Sequence, residues 1–157
     1  MTMQYDVKSQ HAATSGLMVP YRTRLKGAVV FPFTGATGYS AFVDNTSISG
    51  TYARSTTTAT ITSANHGLTT GQWVYLDWDL ADNPYQITVT GTNTFTVTVA
   101  NSGAASGNVT IWTNVLLQAD ASNATAFNMY VPGEGILAPN GIRVFLAADI
   151  HATVFYG

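Results

Sequence analysis

The sequence predicts an all-β protein: a β-sandwich or jelly-roll-like host domain carrying a small inserted β-barrel-like module. Apolar residues nowhere recur at i, i+3, i+4 and i+7 over three turns, the spacing that lays an apolar stripe along a helix. Period-two alternation runs through most of the chain instead, as in strands with one face on a core and the other in water. Composition also changes along the chain. A Thr-rich alternating stretch separates two flanks of longer apolar runs punctuated by Gly and Pro.

Residues 1–20 lack this patterning and read as an arm that orders on a neighbouring subunit. In the first flank, Tyr21 to Phe33 is predicted as one long strand with a break near Pro32, and Tyr39 to Asp44 as the next. The Thr-rich stretch then gives strands at Thr58 to Ser63 and Gln72 to Asp77, separated by turns at Asn65 to Leu68 and Thr69 to Gly71. Its clearest pair is Tyr85 to Thr90 and Thr94 to Val99, a hairpin across Gly91-Thr92-Asn93. Asn101 to Gly107, rich in Ser, Gly and Ala, reads as a loop before a strand at Asn108 to Trp112.

The second flank supplies strands at Val115 to Ala119, Phe127 to Val131, Gly135 to Ala138, Ile142 to Leu146 and Ala152 to Tyr156. Pro132-Gly133 and Pro139-Asn140-Gly141 make the turns, because Pro presets φ and Gly or Asn tolerates positive φ. The expected division is therefore an arm at 1–20, a host sandwich from 21–55 plus 113–157, and an inserted module at 56–112.

With 157 residues the chain can bury a real core, and with no cysteine it must do so without disulfides or thiolate metal sites. Charged residues make up 9% of it and the formal net charge is -2, against roughly 25% charged residues in an average soluble domain. Such a surface suits faces buried in an assembly; a Thr-rich protein that is simply uncharged is the plainer alternative. No apolar run reaches the ~20 residues of a membrane span, and Met1 to Lys8 lacks a signal-peptide core, so a soluble product with no membrane partner is expected. The triplets beginning at Asn45, Asn108 and Asn123 would matter only on a secretory route.

His11, His66 and His151 are far apart in sequence, with no nucleophile motif and no ligand spacing near them. His66 beside Gly67 reads as a turn residue bonded to local backbone, and His151 as packed in the last strand. Glu134, the only glutamate, sits in a Gly-flanked turn where an arginine or backbone N–H groups are its ordinary partners. Glycoside chemistry would need a second carboxylate beside it. Asp77, Asp79 and Asp82 offer oxygen ligands for Ca2+, without the Gly and terminal Glu of an EF-hand loop, and a solvated loop is the simpler reading. No enzyme activity, cofactor or metal is expected.

Arg22, Arg24 and Lys26 recur two apart on one strand face, either to meet carboxylates of an adjoining subunit or to blunt a sheet edge in water. The net charge of -2 argues against a dedicated nucleic-acid binder. Phe155 and Tyr156 close the chain's apolar end and join that row as candidate interface with an adjoining subunit or partner. Of the tryptophans, Trp73 and Trp112 are expected in the module core, and Trp78, between two aspartates, at the surface as a candidate contact for sugar rings.

The run from His66-Gly67-Leu68-Thr69-Thr70-Gly71-Gln72-Trp73-Val74, through Tyr85-Gln86-Ile87-Thr88-Val89, to Asn93-Thr94-Phe95-Thr96-Val97 resembles a small β module recurring in bacteriophage tail, fibre and head-surface proteins. The flanks, with Arg22-Thr23-Arg24-Leu25-Lys26-Gly27, Val131-Pro132-Gly133-Glu134-Gly135-Ile136-Leu137 and Thr153-Val154-Phe155-Tyr156-Gly157, resemble small virion-associated proteins of tailed phages, those of cyanobacteria in particular. In that family the early strands run directly into the later ones, whereas here the His66-containing module stands between them. The resemblance implies a capsid decoration (cement) protein on the outer surface of the head, a homotrimer seated on the major capsid protein with the module facing out. A tail adaptor or fibre-associated protein, and a carbohydrate-binding adhesion module, are the alternatives.

Overall fold

The computed structural model describes residues 6–33, 35–80, 83–122 and 125–157. The regular elements among them are all β-strands, and antiparallel pairing runs through all three of their sheets. The protein is all-β. Its chain forms two compact units: Met1–Asn45 with Leu116–Gly157, and Thr46–Val115.

The discontinuous unit is a sandwich of two sheets. In the first, β1 (Lys8–Ala12), β14 (Ile150–Tyr156) and β3 (Thr23–Pro32) lie side by side, and β11 (Phe127–Tyr130) and β12 (Ile136–Ala138) share the far edge of β3. In the second, the order is β10 (Val115–Ala121), β4 (Gly38–Asp44), β13 (Ile142–Leu146) and β2 (Gly16–Val19). Alternation decides which side chains turn inward. Ile150, Ala152 and Val154 of β14 are buried while the residues between them are half-exposed. They join Leu25 and Val30 of their own sheet and Phe42, Ile142 and Val144 of the other in one core. The Pro139-Asn140-Gly141 turn is fixed by a buried acid: Asp44 accepts the Asn140 backbone N–H and its side-chain amide, both at 2.8 Å. Gly141 there has φ 101°, and a Cβ on it would strike the Val19 carbonyl.

The inserted unit is barrel-like, built on two long strands, β5 (Ser47–Thr62) and β9 (Thr94–Trp112), paired along their length. β6 (Trp73–Trp78) pairs with the last residues of β9, β8 (Thr88–Gly91) with its first, and β7 (Asn83–Gln86) with β6. Ile87 links β7 to β8 and trades backbone bonds with Gly71 and Gln72, so the ring of strands closes. Closure requires the ribbon to bend. Its register shifts on either side of Thr56, whose φ of 60° is left-handed, and β5 doubles back until the Ser63 hydroxyl donates to the Ser49 carbonyl at 2.9 Å. Tyr52, Ala59, Ile61, Leu76, Phe95 and Ile111 fill the interior.

Three expectations need correction. Of the arm expected at 1–20, residues 1–5 lie outside the described residues and the rest belongs to the sandwich: β1 and β2 are strands of the two sheets, and Met18 and Val19 are buried, although four or five residues are too few to show alternation. The stretch 46–55, expected in the host, belongs to the inserted unit, because β5 starts at Ser47 opposite Trp112. Asn101 to Gly107 is not a loop. It continues β9 opposite Tyr52 to Thr56, with Ser102 and Ala105 to Gly107 registered on the partner strand and small residues letting the ribbon bend between them.

Candidate functional site

Two of the three basic side chains in the Arg22, Arg24 and Lys26 row serve the fold. The Arg24 guanidinium meets the Glu134 carboxylate at 3.1 Å and donates to the Gly135 carbonyl at 3.3 Å, while Lys26 donates to the Glu134 carbonyl at 2.9 Å. Together they hold the turn between β11 and β12, where a Cβ on Gly135 (φ 81°) would strike the Leu25 carbonyl. The ion pair is solvent-exposed on the Glu134 side and is worth about 0–1 kcal/mol, so its role is placement. Glu134 thus has the arginine partner expected of a turn carboxylate.

Arg22 is exposed and lines an open cleft of about 410 Å3 with Asp6, Lys8, Tyr21, Leu137 and Tyr156. Tyr156, expected at an interface, is 9% exposed and part of the sandwich core; only Phe155 beside it is half-exposed on the outer side of the sheet. The alternation that buries Ile150, Ala152 and Val154 turns Tyr156 inward as well. Its hydroxyl is hydrogen-bonded to that of Tyr21, and this bond, then burial and the neighbouring phenol, push its pKa above the usual 10.0.

Beside this cleft the solvent side of the first sheet carries a cluster that sequence spacing did not reveal. His11 on β1 and His151 on β14 lie with ring centroids 5.5 Å apart. Phe31 sits within 5.8 Å of His11 and 5.4 Å of His151, and Phe33 stacks on His151 at 5.4 Å with a 12° interplanar angle. His11 Nδ1 contacts the Thr153 hydroxyl at 3.2 Å. On β11 the same sheet ends in Tyr130, 84% exposed. Only the pairing of strands 140 residues apart brings the two imidazoles together, and the sequence offers no local trace of it. Among the described residues no carboxylate is bonded to either ring, so the His11–Thr153 pair lacks the third member of a triad.

In the inserted unit His66 is the turn residue expected. Its Nδ1 accepts the Leu68 N–H at 3.0 Å, its Nε2 meets the Gly91 carbonyl at 3.2 Å, and its ring lies edge-on to Phe95. Of the tryptophan expectations, those for Trp73 and Trp78 are reversed, while Trp112 is half-buried. Trp78 is 7% exposed, wedged between Tyr52 and Tyr85 at 5.0 and 5.5 Å, whereas Trp73 is 48% exposed at the start of β6. Charged neighbours misled here, since Asp77 and Asp79 are exposed on the opposite side of the strand from Trp78. Those aspartates border a shallow hollow with Ser49, Asn108 and Thr110. Asp82 lies outside the described residues. Among the described residues no group of three or more His, Asp or Glu is placed to hold a metal.

The described surfaces thus present an aromatic and imidazole face, a mixed-charge cleft and an exposed indole. No protein-family model matches the chain, and no curated protein is found to be related to it.

Proposed function

We propose that this is a virion structural protein, a capsid decoration protein that seats on the major capsid protein as a homo-oligomer, with no catalytic role. The observation that supports it is the solvent side of the first sheet, where His11, Phe31, Phe33, His151 and Tyr130 stand exposed or half-exposed in a chain of 9% charged residues. Apolar rings gathered on one sheet face mark a contact surface more often than a solvated one. The resemblance of the flanks and of the His66 to Ile111 module to phage particle proteins supplies the context. In this reading the sandwich seats on the head and the inserted unit faces the medium. Purified protein added to mature particles lacking it is expected to bind and to restore resistance to internal pressure; failure of both would end this reading.

Adhesion through the inserted unit is the second reading, supported by Trp73, whose exposed ring suits stacking on a sugar. A glycan array discriminates: a hit lost in Trp73→Ala favours adhesion.

A further inference from the structure

We infer that β1 is an exchangeable strand, which in the assembled protein leaves its own β14 and pairs with the β14 of a second copy. β1 is fully registered on β14, from Lys8 opposite Tyr156 to Ala12 opposite Ala152. Yet its side chains hold almost nothing. Lys8, Ser9, Gln10 and His11 are all exposed, and Ala12 packs only partly on the core. The strand is held by backbone bonds to β14 and by the rings around His11. An identical strand from another copy makes every one of those bonds, so exchange costs no contact, and concentration and the hinge decide which pairing prevails.

The hinge favours exchange. β1 belongs to the first sheet and β2 to the second, with Ala13, Thr14 and Ser15 between them. Stacked sheets stand about 10 Å apart, and the four steps from Ala12 to Gly16 reach at most about 14 Å when fully extended. The connection is therefore short, and all three of its residues are bends. Ser15 is also pinned, accepting the Leu146 N–H at 2.8 Å and donating to the Leu146 carbonyl at 3.4 Å, which leaves Ala13 and Thr14 to turn the chain back. Short hinges of this kind relax by running straight on into a neighbour. A copy without its own β1 offers the open edge of β14, and the incoming strand brings His11 to Phe31 and His151, and Lys8 to the cleft beside Tyr21 and Arg22. The aromatic face is then composite, complete only in the oligomer.

This deepens the assembly reading but stands on the sandwich alone. The chain contains no cysteine, so engineered thiols report cleanly. Ser9 and Phe155 lie directly opposite. Chains carrying Ser9→Cys and chains carrying Phe155→Cys are mixed at high concentration, oxidised mildly and run on a non-reducing gel beside a control mixture of Ser9→Cys with Thr98→Cys. A mixed disulfide well above the control is expected, together with covalent multimers from the double variant that give way to intramolecular cross-links on dilution. Cross-links confined to single chains at every concentration would overturn the inference. Should either thiol variant misfold, light scattering on the unmodified protein decides: a multimer that becomes a monomer when Gly and Ser residues are inserted after Ala13 supports exchange, and a mass that the insertion does not change overturns it. Exchange without particle binding would count against the decoration role alone.

Discussion

Asn140 gives both its backbone and its side-chain N–H to the buried carboxylate of Asp44, 96 residues away, at 2.8 Å each. The pair locks the turn before β13 against the end of β4, and hydrogen bonds to a buried charge are the strong kind. Asp44→Ala leaves those donors without acceptors and is expected to cost about 2–4 kcal/mol, a few such bonds' worth. Urea unfolding followed by far-UV circular dichroism checks it.

The tryptophans, Trp73, Trp78 and Trp112, all belong to the inserted unit, so indole fluorescence reports that unit by itself. Gly50 lies where β5 returns on itself, and a Cβ there would sit 2.6 Å from the Thr62 carbonyl. Gly50→Val should destabilise the fluorescence-monitored transition by about 1–3 kcal/mol, the usual cost of overpacking. An unchanged midpoint would show that the ribbon does not close at Ser49 and Ser63.

Trp78 and Trp73 respond oppositely. Trp78→Ala empties the space between Tyr52 and Tyr85 and is expected to cost about 3–5 kcal/mol. Trp73→Ala, at an exposed position, should stay within about 0.5 kcal/mol in the same chemical denaturation.

How far the sequence reached is visible in these residues. β4, β12 and β13 were legible nearly to the residue, since apolar alternation bounded by Pro, Asn and Gly marks both strand and turn. The Asn101 to Gly107 segment was not, because its pairing depends on a bulged strand far back in the chain, and small residues look the same in a bend as in a loop. At the candidate site, Glu134 beside Arg24 and the His66 turn followed from local chemistry. The His11 and His151 cluster did not, as register between distant strands creates it.

Tyr156 makes stability depend on alkaline pH. Its folded-state pKa is raised above the ordinary 10.0, so its contribution is complete below that value and is lost as pH rises through the raised one. Tyr21→Phe removes the hydrogen bond and the neighbouring phenol, bringing that pKa back toward 10.0. The variant should therefore lose less stability than the unmodified protein between neutral pH and about pH 11. Denaturant midpoints across that range test the difference.

The decoration role is tested most directly by copy number in purified virus particles, measured by quantitative gel electrophoresis against the major capsid protein. Copies in the hundreds per particle, lost from particles whose gene for this chain is deleted, are the result expected. Tens of copies or fewer would place the protein in the tail, and its absence from particles would contradict a structural role altogether.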